Sequence, residues 1–286
     1  MKRLIINADD CGADVARNRG IFGAIKKGVV TSVSILPNGP AFNDAIQRIK
    51  SLNNEKGVSW GVHINLSEGE PLSSGLRILA ESDGCFQGKL PAIKLLTGIS
   101  STALEREIVV EVEAQVKKLL NAGILIHHLD SHHHIHAFPA VIKAAISAAI
   151  KYKIPWIRIP EETKPSYRNL DISDEIAAEA GLFSKYAAEA RTRIETTGIR
   201  TTNHFRGLYL KGRLSPLIME ELLLTLPDGL TEFMTHPGYA DTGRLSGPFS
   251  TFSTHDREQE LETLLRPDFP LLLKKYKIIL APFPEI

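Results

Sequence analysis

Two cysteines are all that these 286 residues contain, and Cys11 and Cys85 lie far apart in unlike surroundings. The chain is therefore not read as a disulfide-stapled secreted module. An excess of one charge is also missing: 34 basic and 33 acidic residues leave a net +1. With no basic stripe, nucleic acid and anionic membrane are poor candidates for partners. No apolar run nears the roughly 20 residues that a membrane span needs. The opening MKRLIINADD offers only Leu4-Ile5-Ile6 before acids arrive, too little for a signal peptide. A soluble, cytoplasmic protein is the expectation. No Gly-rich dinucleotide fingerprint or P-loop follows any candidate strand, which sets aside dinucleotide and nucleoside-triphosphate sites. Without a GxSxG elbow or an evident Cys-His pair, no covalent enzyme intermediate is called for.

What the chain has in abundance is histidine in one place. Six of its ten histidines, His127, His128, His132, His133, His134 and His136, fall in the run IHHLDSHHHIHAFP. Neutral imidazole is the commonest metal ligand and a ready proton carrier near pH 7. The run is bracketed by the strand-like Gly123-Ile124-Leu125-Ile126 and by Phe138-Pro139, which opens a helix. Asp130, His132, His134 and His136 share parity, so an extended backbone aims them to one side and turns His133 away.

Elsewhere short β-branched runs alternate with amphipathic helical patterns. Strands are expected near 3–7, 31–36, 59–64, 156–159, 201–205, 231–235 and 276–280, besides the His-rich one. Helices are expected near 15–27, 41–51, 102–120, 140–151, 175–193, 214–224 and 256–265, with Ile108, Val109, Val112 and Val116 on one face of the third. Alternation of this kind argues for a parallel sheet with helical crossovers. The length and a count close to eight favour a single distorted (β/α) TIM-like barrel over residues 1–286, with an irregular Gly-, Ser- and Pro-rich insertion around 67–100.

In such a barrel the chemistry sits at the C-terminal ends of the strands. Asp9 and Asp10 follow the first strand, Asn38 the second, and His63 and Asn65 the third. Asp130 and His132 end the fourth, Arg158 the fifth and His236 the seventh. Adjacent aspartates at a strand–helix junction also serve as helix caps, but Asp14 is placed to do that here. His236 precedes Pro237, which holds it extended. His204, His255 and Cys11 are read as structural or surface residues.

NADDCG (7–12), GVHINL (61–66), HLDSHHHIHAFP (128–139) and MTHPGY (234–239) together resemble the YdjC-like carbohydrate deacetylases, which include chitooligosaccharide deacetylases. The resemblance implies a distorted (β/α)-barrel hydrolase that removes N-acetyl groups from amino sugars with a divalent cation, magnesium or zinc, usually as a homodimer. It places the metal ligands at Asp10, His63 and His132, the general base at Asp9, and the acid or oxyanion stabiliser at His236. Arg158 is expected to orient Asp9 or the substrate, and Asn38 and Tyr239 to meet the sugar. Trp60 and Phe249 are further candidates for stacking on it, with core packing the commoner use of Trp60. Cys11 stands where family members usually carry an aromatic residue, which bears on acceptor specificity. Two other readings stay open. A metal-dependent sugar isomerase or epimerase generally needs several strand-end glutamates, of which Glu161-Glu162 is the only obvious pair, and a non-catalytic sugar binder has no use for Asp9 beside Asp10.

Overall fold

Strand β1 (Lys2–Cys11) is the centre of a wholly parallel sheet in this computed structural model, which describes residues 1–52, 57–240, 248–250 and 254–284. Its Leu4, Ile5, Ile6 and Ala8 are all fully buried, the near-continuous apolar run of a strand covered on both faces. Along one edge, Lys2–Ala8 pair with β7 (Gly229–Thr235). The other edge is divided: Lys2–Leu4 take β8 (Ile278–Leu280), and residues 7–11 take β2 (Ser32–Ile35). From β2 the sheet runs outward through β3 (Ser59–Ile64) and β4 (His128–Ser131) to β5 (Trp156–Ile157), and from β7 to β6 (His204–Arg206).

The result is a curled half-barrel flanked by helices: the expected parallel α/β architecture is there, and among the described residues the sheet does not close into a full TIM-like barrel. The end strands β5 and β6 do not pair; a single parallel bridge, Trp156 to Arg200, spans the gap. The physical reason lies in β5, which Pro155 and Pro160 flank. Proline has no N–H for a ladder, so only a two-residue strand survives there.

Helices cover the sheet in the order α1 (Val15–Lys26), α2 (Phe42–Ser51), α3 (Lys89–Thr97), α4 (Thr102–Asn121), α5 (Ile142–Lys151), α6 (Asp174–Ile194), α7 (Pro216–Thr225), α8 (His255–Leu264) and α9 (Phe269–Lys275). Among the described residues no helix is long and apolar enough to cross a membrane. Asp14 caps α1 as expected, accepting from the Arg17 N–H at 2.6 Å. The sequence pattern missed α9 and α3, and it set the fourth strand several residues too early: Ile124 and Ile126 are buried connection, and pairing begins only at His128.

Helix α4 organises the insertion at 67–100. Its apolar stripe is Ile108, Val112 and Val116, all fully buried, while Val109 is displaced to a 40% exposed flank. A second stripe at the same i, i+4 spacing is polar. Glu107 accepts the N–H groups of Arg77, Ile78 and Leu79, and Glu111 those of Leu72 and Ser73. Gln115 exchanges two hydrogen bonds with the backbone of Asn65. Helix α4 thus satisfies five backbone N–H groups of an insertion that makes few ladder bonds.

A similar use of a buried carboxylate yields a pH prediction. Glu162 accepts the N–H groups of Gly207 and Leu208 at 3.0 and 2.7 Å, and burial pushes its carboxyl up to about 7. A raised folded-state value means stability that is full below the unfolded glutamate range and is lost as pH climbs through about 7. Glu162→Gln keeps the acceptor oxygen but cannot ionise. Thermal melts from about pH 5 to pH 8 should show the wild type losing up to about 3 kcal/mol more than the variant. Equal slopes contradict this account.

Candidate active site and metal centre

Neighbours on an extended strand point to opposite faces, so Asp9 and Asp10 should not share a site. The end of β1 breaks that rule. Its register against β2 shifts between Ala8 and Cys11, and Asp10 takes a left-handed φ of 64°. This bulge re-aims the chain, and both carboxylates reach His63, with Asp10 reaching His132 as well. Oδ1 of Asp10 lies 2.9 Å from Nδ1 of His132 and 3.6 Å from Nε2 of His63, and Oδ2 of Asp9 lies 4.0 Å from the same Nε2.

Asp10, His63 and His132 each offer a ligand atom, and the three atoms lie within 4.8 Å of one another. Oδ1 of Asp10 is buried and makes no hydrogen bond, although it faces two imidazole nitrogens. An ionised oxygen left in that condition is costly unless a cation completes it. One carboxylate and two imidazoles are also a sound donor set for a divalent ion with open positions. The residues therefore fit a metal ion. Electrostatics agree. Burial would raise the Asp10 carboxyl, but His132 and Arg257 hold it well below the usual carboxylate range. Burial opposes protonation of His63, yet Asp130 and Asp9 outweigh it and push the ring up to about 10, so the pocket favours positive charge there.

Behind these residues lies a buried ionic network built around Arg158. Its two terminal nitrogens grip both oxygens of Asp9 at 2.7 Å, one of them also reaches Asp130 at 2.8 Å, and Nε donates to Glu232 at 2.7 Å. Asp130 in turn accepts from Nδ1 of His63 at 2.7 Å and from Ser34 at 2.6 Å. A carboxylate on the far nitrogen of a ligating histidine fixes which nitrogen faces the ion. Burial opposes the charge on Asp130, and Arg158 and His63 keep it well below its ordinary value. Arg158 is fully buried and does not line the cavity. Its donors are spent on Asp9, Asp130 and Glu232, the arrangement expected if it orients Asp9 and not the substrate.

The cavity has a volume of about 290 Å³. Asp9, His63, His132 and His236 line it, with an apolar wall of Ile176, Ala180, Phe183, Leu208 and Met234 and the charged Lys89, Glu179 and Lys211. His236 is brought there by a close approach. A methyl group on Gly20 of α1 would sit 2.6 Å from Cα of Gly238, so only glycines let the 236–239 turn lie so near α1. The backbone N–H of His236 is anchored on Glu260 at 2.6 Å. Burial, helped by Lys211 and Arg257, holds its ring well below the ordinary histidine value.

Other sequence assignments fall elsewhere. Asn38 does not line the cavity; its amide ties the backbone of Glu68 and Glu70 at 3.3 and 3.0 Å. Tyr239 stands apart too, its ring 4.4 Å from the Arg19 guanidinium. Cys11 is fully buried and faces Asn18, so it is no wall for a substrate. Trp60 stacks on Phe22 in the core. The parity reading of the histidine run ends at Ser131: His132–Ala137 form a 3-10 segment in which His133 and His134 take left-handed backbone angles. His133 thereby lines the cavity instead of facing away, and His136 is buried between Ser131 and the carbonyl of Arg158. The sequence reading overlooked Glu68 and Arg257. The Arg257 guanidinium bonds Oδ2 of Asp10, and Glu68 lies 3.4 Å from His132. Glu68 comes from a loop and Arg257 from the first turn of a helix, and no local signal marked either contact.

A family model described as YdjC-like protein matches residues 3–275. Among curated relatives, a carbohydrate deacetylase of Thermoanaerobacter pseudethanolicus is 30% identical over 274 residues, covering 95% of this chain and 93% of its own. A carbohydrate deacetylase of Clostridium beijerinckii is 30% identical over 288 residues, covering 99% and 100%. A crystal structure from Enterococcus faecalis, named as a cellobiose-phosphate cleavage protein, superposes with a TM-score of 0.73 at 26% identity, covering 99% of this chain and 97% of that one. With the four motifs gathered on one cavity and this match along nearly its whole length, the chain belongs to the YdjC-like family.

Proposed function

We propose that this protein is a carbohydrate N-deacetylase whose divalent cation is held by Asp10, His63 and His132. The observation that carries the reading is the convergence of those three ligand atoms, from β1, β3 and the end of β4, beside Asp9 on a cavity wall. Relatives named carbohydrate deacetylase support the chemistry. The substrates we favour are short N-acetylated amino sugars such as diacetylchitobiose or other chitooligosaccharides. Two imidazoles incline the site toward zinc or another transition ion over magnesium. When bound, the ion supplies Lewis acidity that polarises the amide carbonyl and makes water a better proton donor.

The chain's own residues carry the remaining work. Oδ1 of Asp9 is taken by Arg158 and by Asn7 at 2.6 Å, whereas among the described residues Oδ2 accepts only from Arg158. Its remaining lone pair makes Oδ2 the atom that accepts the proton of the attacking water. Water oxygen adds to the acetamide carbon, Asp9 returns the proton it took to the amine nitrogen as the C–N bond breaks, and acetate and the free amine leave. With its ring neutral at rest, His236 serves as an N–H donor to the developing oxyanion, the second of the roles that the resemblance implied for it. The homodimer belongs to the same proposal, and sedimentation tests it.

An isomerase is disfavoured by its glutamates. Glu161 pairs with Arg191 at 2.8 Å, and Glu162 is spent on the backbone of Gly207 and Leu208. Acetate release from diacetylchitobiose separates the readings. It should appear with a divalent cation, stop when a chelator is added and return when the cation is restored. An isomerised sugar without acetate, or no product at all, rejects the proposal.

A further inference from the structure

Each of the two histidines at the centre has a carboxylate on its far side: Asp130 behind His63, and Glu68 behind His132. Resting on the metal-centre reading above, we propose that Glu68 is a positioning residue that fixes the His132 ring so that Nδ1 is its ligand atom. Oε2 of Glu68 lies 3.4 Å from Nε2 of His132, on the opposite edge of the ring from Asp10. An acceptor at that point keeps the imidazole proton on Nε2 and leaves the Nδ1 lone pair facing Asp10. Without it the proton can settle on Nδ1, pointed at Asp10 Oδ1, and the ring cannot ligate.

The support of Glu68 is unusually complete for a loop residue. Its backbone N–H donates to Oδ1 of Asn65 at 3.1 Å, and its carbonyl accepts from the amides of Asn65 and Asn38 at 2.6 and 3.3 Å. Asn65 is itself gripped by Gln115 of α4. On the carboxylate side, Oε2 also accepts the N–H of Phe249 at 3.0 Å, whose ring centre lies 5.6 Å from that of His132. The carbonyl of Phe249 accepts from Arg17, which stands 3.7 Å from Asp10. The carboxylate is thus aimed at His132 by the insertion and by the 248–250 segment together.

Glu68, His132 and His133 also offer atoms within 4.8 Å of one another, the geometry of a second metal group. The hydrogen bonds favour positioning over ligation. Oε2 is engaged by Phe249, Nδ1 of His133 lies 3.0 Å from Ser67 Oγ, and a shared His132 would have to give up both ring protons.

The experiment measures zinc or magnesium affinity by chelator competition, and stoichiometry by elemental analysis, on the whole chain. Wild type, Glu68→Ala, Glu68→Gln and Asn38→Ala are compared. Glu68→Ala should bind one ion roughly 10–100-fold more weakly. Glu68→Gln, which keeps an acceptor oxygen, should fall between it and the wild type. Asn38→Ala, which removes one donor to the Glu68 carbonyl and leaves the Asn65 and Phe249 bonds in place, should lose clearly less affinity than Glu68→Ala. Wild-type affinity in Glu68→Ala overturns the proposal, as does an equal loss in Asn38→Ala or a fall from two ions to one. Should Glu68→Ala not fold, imidazole ¹⁵N NMR of the loaded wild type decides: a proton on Nε2 of His132 is expected, and one on Nδ1 overturns the assignment. A wild type that binds no ion rejects the metal centre itself, which is a different result.

Discussion

Asp9→Asn is expected to lower kcat by about 10²–10⁴-fold while the bound metal stays at the wild-type level. The substitution keeps the size and one acceptor oxygen but removes the basicity of Oδ2, the atom with a lone pair to spare. Asp9 is not among the three residues whose atoms close on the candidate ion with His132, so ion binding should persist. KM should change little, because the lost interaction forms only as the water is deprotonated. Arg158 keeps Asp130 and Glu232 as partners, so the network should survive. Steady-state kinetics with metal analysis of the same preparation tests this. A variant that loses metal and rate together makes Asp9 a ligand, and one with unchanged kcat removes it as the base.

Asp10→Asn and His132→Ala should both abolish metal binding and acetate release. The two act differently, which makes the pair informative. Asp10→Asn withdraws the negative charge closest to the buried Arg257 guanidinium, while Arg17 keeps Asp14. Loss of one member of a buried pair commonly costs about 3–5 kcal/mol, so a lower melting temperature is expected as well. His132→Ala removes a ring that is neutral when it ligates and should leave the fold nearly as stable. A His132→Ala protein that melts normally yet binds no ion separates the centre from the scaffold. Retained metal in either variant contradicts the ligand set.

The parts of this site that could be read from the sequence are those governed by strand periodicity. His63, Asp130 and His236 stand at strand ends because short β-branched runs precede them, and those runs were legible. The parts that could not be read depend on departures from periodicity. Asp9 and Asp10 share a site only through the bulge and the positive φ of Asp10. The side that His133 faces depends on two consecutive left-handed residues. Arg257 and Glu68 reach the centre across 247 and 64 residues of chain, from a helix and from a loop whose local patterns say nothing about the contact. The open edge of the sheet was hidden for a related reason. Pro155 and Pro160 were visible, but the eight strand-like runs suggested closure, and proline limits β5 to two paired residues.

The most direct test of the account is to locate the ion. Crystals of the wild type equilibrated with zinc should give one anomalous peak, about 2.0–2.2 Å from Asp10 Oδ1, His63 Nε2 and His132 Nδ1. A peak held by Glu68 and His133 instead, or no peak between those three atoms, would contradict it.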